Sequence, residues 1–145
     1  MNIHSIVAQL PYRDPFLFVD ELVHADEEHI IGYYTFDESL DFYKGHFLDK
    51  PVTPGVILTE TMAQIGLACF GIYLMQGKCH GLTTIVLTST DVQFLKPVYP
   101  NEKVTVIAHK IYFRFGKLKC AVLMKNAAGI EVCKGILAGM VIEDI

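Results

Sequence analysis

The fold is decided by residues 53–76, which read TPGVILTETMAQIGLACFGIYLMQ. Thr53 suits the N-cap of a helix, Pro54 suits its first position, and Gly77 follows where the helix can end. The residues between them are apolar on nearly every face, which is typical of a helix enclosed by the rest of the protein. The segment therefore predicts one long central helix.

Residues 56–75 also have the length of a membrane span. They include Thr59, Glu60, Thr61 and Gln64, and a carboxylate is costly in lipid, so we expect a buried helix and no membrane span. The first residues lack the basic segment and apolar run of a signal peptide. The four cysteines have no CxxC spacing and are expected as reduced thiols. These features predict a cytoplasmic protein.

Runs of β-prone residues surround this helix, and Gly, Pro and Asn residues separate them. They predict about seven strands, at residues 16–25, 29–36, 82–87, 91–95, 103–114, 118–126 and 130–142. Phe115-Gly116 and Ala128-Gly129 indicate hairpins, which favour an antiparallel sheet. Apolar residues at helical spacing predict a short helix over residues 3–10. We predict one α+β domain over residues 1–145, with a curved sheet wrapped around the helix.

Composition narrows the functional classes. The chain has 145 residues, of which 52% are apolar and 19% charged, which suits one domain with a real core and excludes a disordered linker. So apolar a composition also suggests an oligomer interface. The net charge of −4 argues against nonspecific nucleic-acid binding. Its distribution is uneven, because most acidic residues lie in the first 60 positions.

Three features at the start of the helix carry chemistry. His46 lies in a long irregular stretch, residues 37–52, just before the helix. The helix N-terminus presents free N–H groups, and Gly55 lets a ligand approach them closely. Glu60 follows in the second turn, with Gln64 one turn further on the same face, where its amide can bond the carboxylate. A carboxylate here indicates a residue at a solvent gap, a structural ion pair, or an acid whose pKa is raised by burial.

These parts can be combined into a reaction. An imidazole can act as general base, a protonated glutamate as general acid, and helix N–H groups can stabilise an oxyanion. The set suits removal of a proton beside a carbonyl followed by loss of a β-hydroxyl, and it suits thioester hydrolysis almost as well. No HxxxH or HExxH spacing occurs, so we expect no metal site. His24, His29, His80 and His109 are expected to be structural.

Residues 45–64 resemble the signature of the β-hydroxyacyl-acyl carrier protein dehydratases, which have a hotdog fold. The matching parts are Gly45-His46-Phe47, Pro51, Pro54-Gly55-Val56, Glu60 and Ala63-Gln64, with the same 14-residue gap from His46 to Glu60. Residues 10–20 and 94–100 resemble two further motifs of that family. The chain departs from the family pattern at Tyr12, Leu48, Asp49, Thr53 and Asn101-Glu102. These departures suggest a specialised pathway, such as polyene or other secondary-lipid synthesis.

The resemblance implies dehydration of a (3R)-3-hydroxyacyl group to a trans-2-enoyl group, without a cofactor, on the phosphopantetheine of acyl carrier protein. It implies a homodimer, which can assemble further as a trimer of dimers, with His46 of one protomer facing Glu60 of the other. Gly55, Val56 and Gln64 are then expected as substrate-binding residues. Seven basic residues between positions 103 and 134 form an excess that could steer the acidic carrier.

Two other functions use the same fold. A hotdog thioesterase would cleave the thioester, releasing a free thiol in place of an enoyl thioester. A non-catalytic acyl-binding subunit would turn over neither substrate. The retained His46 and Glu60 weigh against the second alternative.

Overall fold

The computed structural model describes residues 2–76 and 83–143. The strands in this part of the chain are β1 (Glu21–Ala25), β2 (His29–Thr35), β3 (Thr83–Phe94), β4 (Lys103–Arg114), β5 (Lys117–Lys125) and β6 (Glu131–Glu143). They form one antiparallel sheet in the order β1-β2-β4-β5-β6-β3. This arrangement confirms the predicted α+β class, with a curved sheet around one long helix.

Two of the predicted strands are in fact one. Residues 82–87 and 91–95 belong to the continuous strand β3, which pairs with β6 along its whole length. The polar residues near Ser89 suggested a break between two strands. The structure accommodates them by a register shift between Leu87 and Ser89. The sheet therefore ends in a long edge strand of 12 residues.

The prediction of a strand over residues 16–25 was wrong in its first half. Only Glu21–Ala25 pairs as a strand. Phe18 and Val19 are buried, and the Phe18 N–H donates 2.8 Å to the Gln64 side chain instead of to a neighbouring strand. Gln64 of the central helix thus accepts the hydrogen bond that a neighbouring strand would otherwise accept.

The predicted N-terminal helix over residues 3–10 is two short 3-10 turns, Ile3–Ser5 and Val7–Gln9. Leu10 is already extended, with φ −66° and ψ 142°. A residue that precedes proline avoids the helical region, and Pro11 follows here. Pro11 therefore prevents the helical turns from continuing through Leu10.

The central helix has three parts: α1 (Gly55–Ala63), a π-helical segment (Gln64–Cys69) and α2 (Phe70–Met75). It begins one residue later than predicted, since Pro54 and not Thr53 is its N-cap. The Thr53 hydroxyl shares a 2.5 Å hydrogen bond with Tyr43, and its N–H donates 2.8 Å to the Val98 carbonyl. The helix ends at Gln76 in the left-handed conformation, φ 44°, and Gly77 lies outside the described residues.

The helix is enclosed, as predicted. Every residue from 61 to 72 is buried. The segment Gly55–Met75 is long and apolar enough to cross a membrane, and 72% of its most apolar window is buried inside the fold. Gly66 allows close contact with the sheet, because a Cβ there would lie 3.1 Å from the side chain of Ala108. Three cysteines, Cys69, Cys120 and Cys133, are free and buried, and Cys79 lies outside the described residues.

Candidate active site

His46 is held by one hydrogen bond that decides which of its ring nitrogens is free. Nδ1 lies 2.8 Å from the Val52 carbonyl oxygen. A carbonyl only accepts hydrogen bonds, so Nδ1 carries the proton and donates it. In the neutral ring Nε2 then presents an unprotonated lone pair. The half-buried imidazole is therefore in the tautomer that a general base requires.

The loop around His46 closes on itself. Phe47 and Lys50 exchange backbone hydrogen bonds of 3.1 and 3.2 Å, and the Val52 N–H donates 2.9 Å to the His46 carbonyl. The His46 ring also stacks on Phe47, with 4.0 Å between ring centroids. These contacts fix the ring plane before any substrate arrives.

The N-terminus of α1 offers two free backbone donors. The Pro54 carbonyl accepts from Ile57 and Leu58, and Pro54 provides no side-chain cap. The N–H groups of Gly55 and Val56 are left without an intrahelical acceptor. A Cβ at Gly55 would lie 3.2 Å from the Phe94 ring, so glycine lets this ring pack against the start of the helix. The arrangement is suited to a carbonyl oxygen that gains negative charge.

Glu60 lies half-buried on α1, and burial raises its pKa. A hydrogen bond from Gln64 Nε2 to Glu60 Oε2, 3.0 Å long, opposes that shift by favouring the charged form. The balance keeps Glu60 protonated to higher pH than an exposed glutamate, as a general acid needs. The predicted contact between these two side chains is confirmed.

Gln64 itself is fully buried and has three partners. Its Oε1 accepts from the Phe18 N–H at 2.8 Å, and its Nε2 donates to the Phe16 carbonyl at 2.9 Å as well as to Glu60. It was expected among the substrate-binding residues. With no exposed surface in the described chain, it lies behind the carboxylate and sets its orientation.

Two cavities border Glu60. One of about 270 Å³ is lined by Tyr12, Phe16, Leu67 and residues 84–87 of β3, and most of these side chains are apolar. The other, of about 570 Å³, is lined by Val56, Thr59, Leu87, residues 90–92 and Phe94. His46 lines neither of them. The two cavities beside Glu60 are therefore formed without His46.

Tyr12 and Phe94 were not assigned a role from the sequence. Tyr12 lines the smaller cavity with Glu60, and burial together with the Glu60 charge raises its pKa to about 12. Phe94 covers Gly55 and lines the larger cavity. In the sequence, Tyr12 was marked only as a departure from the family motif, and Phe94 only as the first residue of the motif at positions 94–100.

An apolar surface surrounds the site. Leu48 in the His46 loop is 90% exposed and Val56 at the helix N-terminus is 76% exposed. Phe47, Leu87 and Phe94 add further exposed apolar area. The neighbouring edge strand β3 pairs on one side only in this chain. Exposed apolar patches and unpaired edges are usually covered by a partner.

Comparison with known proteins places the chain. Residues 10–129 match the FabA-like domain. The chain is 33% identical over 136 residues to the 3-hydroxyacyl-[acyl-carrier-protein] dehydratase FabZ of Clostridium perfringens. The aligned region covers 91% of this chain and 96% of that protein.

Solved structures share the fold at low identity. The dehydratase heterocomplex ApeI:P from Xenorhabdus doucetiae has a TM-score of 0.81 at 12% identity, over 96% of this chain and 91% of that one. A hypothetical thioesterase with coenzyme A from Streptococcus pneumoniae has a TM-score of 0.65 at 15% identity, over 86% of each chain. These likenesses confirm the hotdog architecture.

Proposed function

Since this chain belongs to the FabA-like family, we propose that it dehydrates (3R)-3-hydroxyacyl groups carried on acyl carrier protein to trans-2-enoyl groups. One observation carries the proposal. Both reactive side chains are already oriented, His46 by the Val52 carbonyl and Glu60 by Gln64. The neutral His46 ring therefore presents Nε2 as the acceptor, and burial favours the protonated form of Glu60.

The proposed reaction has two proton transfers. His46 Nε2 removes the proton from C2, and the electrons of that C–H bond form the C2–C3 double bond. The C3–O bond breaks, and the Glu60 carboxyl donates a proton so that the hydroxyl leaves as water. Histidine finishes protonated and glutamate deprotonated, and proton exchange with solvent returns both to their starting states. No electrons are gained or lost, so the reaction needs no redox cofactor.

The thioester carbonyl is proposed to bind the free N–H groups of Gly55 and Val56. Loss of the C2 proton puts negative charge on that oxygen, and the positive end of the helix dipole stabilises it. The apolar cavity beside Glu60, lined by Phe16 and Leu67, suits the acyl tail. Substrate specificity for chain length would be set there.

The site is proposed to be completed by a second copy of the chain. His46 lines neither of the cavities that Glu60 borders in one protomer, and the exposed edge of β3 lies beside those cavities. Pairing of two β3 edges would cover the apolar surface and bring His46 of one protomer to Glu60 of the other. The family expectation of a homodimer, able to form a trimer of dimers, fits this surface.

Acyl carrier protein is the proposed partner because a basic surface is available to it. The outward residues of β4 to β6 include Lys103, Lys110, Arg114, Lys117, Lys119, Lys125 and Lys134. Among the described side chains, none of these seven forms an ion pair within 4.0 Å. Of the seven, Arg114 and Lys117 flank Phe115 at the tip of the β4–β5 hairpin, and Phe115 is 97% exposed. An acidic surface with an apolar centre would complement this tip.

Residues that differ from the family motif fit into the fold without disrupting it. We therefore propose that the chain is a specialised variant that carries out the same chemistry in cytoplasmic lipid synthesis. Asn101 adopts φ 68°, a conformation asparagine tolerates, and its side chain accepts from the Glu38 N–H. The Glu102 carboxylate accepts from the Tyr99 N–H at 2.8 Å. Neither residue touches the proposed reacting groups.

A turnover assay tests the proposal. A series of 3-hydroxyacyl carrier-protein thioesters of different chain length is incubated with the protein and followed by mass spectrometry. We expect loss of one water with the thioester retained. His46→Ala and Glu60→Gln should each lower turnover by at least about a hundredfold.

Matched substitutions at exposed positions, His4→Ala and Glu38→Gln, should leave turnover unchanged. Release of free thiol without an enoyl product would replace the proposal with a thioesterase. Turnover that persists in either active-site variant would remove that residue from the mechanism.

A further inference from the structure

The β1–β2 hairpin brings two imidazoles onto one carboxylate at the edge of the sheet. His24 Nε2 lies 2.9 Å from Asp26 Oδ2, and His29 Nδ1 lies 3.1 Å from Asp26 Oδ1. The ligand atoms of the three residues all lie within 4.8 Å of one another. We propose that His24, Asp26 and His29 form a binding site for a divalent transition-metal ion of the Zn²⁺ type.

A β-bulge aims His24 into this cluster. The register of β1 against β2 shifts between Leu22 and His24. Side chains two residues apart in a regular strand share a face, so without the shift His24 would follow Leu22 into the core. The bulge instead turns it to the outer face, which it shares with His29. Bulges that re-aim one side chain are common at functional positions.

The carboxylate is fixed in advance. Asp26 Oδ1 accepts the backbone N–H groups of Glu28 and His29, each at 2.8 Å. The backbone therefore orients the carboxylate before an ion arrives. Glu27 and Glu28 add negative charge beside it.

Metal binding requires the three ligand atoms, which lie within 4.8 Å of one another, to move onto the corners of one tetrahedron. Zn²⁺ binds imidazole nitrogen and carboxylate oxygen at about 2.0–2.2 Å in a tetrahedron, so a nitrogen and an oxygen ligand lie roughly 3.3 Å apart. The present separations of 2.9 and 3.1 Å need to open by only a few tenths of an ångström. The side chains of His24 and Asp26 are 46% and 44% exposed, which leaves room for water in the remaining positions. Two imidazoles favour Zn²⁺, Ni²⁺ or Cu²⁺ over Ca²⁺ or Mg²⁺.

The site was missed from the sequence because its spacing, His-x-Asp-x-x-His, forms across a hairpin. We expected His24 and His29 to be structural, and the structure gives both a carboxylate partner. His109 on β4 stacks on His29 with centroids 5.5 Å apart, and it supports the ring without belonging to the ligand set. This makes His109 a matched control.

The proposed ion would stabilise the β1–β2 edge of the sheet and would take no part in catalysis. The Gln76 amide reaches Glu27 at 3.4 Å, so the hairpin lies at the C-terminal end of the central helix. A helix of 21 residues is about 30 Å long, which separates the hairpin from the helix N-terminus near His46. Binding to the folded state alone raises the melting temperature.

Calorimetric titration of the tag-free, chelator-treated protein with ZnCl₂ tests the site. We expect one Zn²⁺ per chain with micromolar affinity and a higher melting temperature in its presence. His24→Asn, His29→Asn and Asp26→Asn should each weaken binding by at least about tenfold. Asparagine at position 26 keeps the oxygen that accepts the backbone bonds. His109→Asn should bind as wild type does, and all four variants should retain turnover.

Paramagnetic Co²⁺ supplies a second measurement that needs no variant. It should broaden the NMR signals of the His24 and His29 rings before that of His4, without the absorption band of cobalt–thiolate bonds. The proposal is overturned if the wild-type protein takes up no Zn²⁺ at millimolar concentration. It is also overturned if His24→Asn and His29→Asn both bind Zn²⁺ as tightly as the wild type does. A thiolate band would likewise overturn it, by placing the ion on cysteine.

Discussion

Replacing Gln64 by leucine tests how the fold positions the acid. Leucine has a similar volume but cannot bond, so the Phe18 N–H loses its acceptor inside the protein. A buried donor left unsatisfied costs about 1–3 kcal/mol. The Phe16 carbonyl is more accessible, since Phe16 is an exposed residue, and water can replace its lost donor. For a chain of this size each kcal/mol lowers the melting temperature by about 3 °C, so we expect a fall of roughly 3–9 °C.

The same substitution should change the pH dependence of turnover. Gln64 bonds the charged form of Glu60 and thereby lowers its pKa, so its loss raises the pKa of Glu60 further. Because the reaction needs this group protonated, the alkaline limb of the pH–rate profile should move to higher pH. The carboxyl also loses its orientation, and kcat should fall about tenfold or more.

Scanning calorimetry and pH–rate profiles measure both effects. Gln9→Leu, at an exposed position, is the control and should change stability by no more than about 0.5 kcal/mol. The reasoning is refuted if Gln64→Leu melts with the wild type and keeps its pH profile. A lower melting temperature with an unshifted alkaline limb would leave Gln64 as a purely structural residue.

Three further outcomes are expected. Burial raises the pKa of Glu60, so stability is lost as pH rises from the unfolded value of about 4.3 through the folded value. Glu60→Gln should therefore melt above wild type near neutral pH and together with it near about pH 4, and the reverse order in thermal melts would contradict this. Gly135→Ala places a Cβ against the Asp91 carbonyl of β3, so it should separate that strand and abolish the dimer in sedimentation, whereas Gly45→Ala, with open space around it, should not. Arg114→Glu with Lys117→Glu should raise KM for carrier-bound substrate but not for a pantetheine thioester, and equal effects on both would argue against docking at this tip.

The central helix could be predicted because its apolar residues leave no polar face to expose. Its details depend on distant contacts. Thr53 has the chemistry of an N-cap, yet Tyr43 and Val98 use its hydroxyl and its N–H. The merging of two strands into β3 depends on the partner β6, which extends past the polar residues near Ser89. Local sequence patterns carry neither kind of information.

The candidate site likewise includes contacts that the sequence predicts and contacts that it does not. Glu60 and Gln64 are one helical turn apart, so their contact follows from helix geometry. His46 and Glu60 are linked by the family motif, and we propose that their meeting depends on a second chain. The cluster of His24, Asp26 and His29 needs both a hairpin and a bulge, and neither is visible as a motif.

Mixing two inactive variants tests the shared site most directly. His46→Ala and Glu60→Gln are unfolded together, refolded as an equal mixture, and assayed with a 3-hydroxyacyl carrier-protein thioester. In a two-fold dimer half of the molecules are mixed, and each has one site with both an intact histidine and an intact glutamate, so we predict about one quarter of wild-type activity. Activity no higher than that of either variant alone would contradict a site built from two protomers.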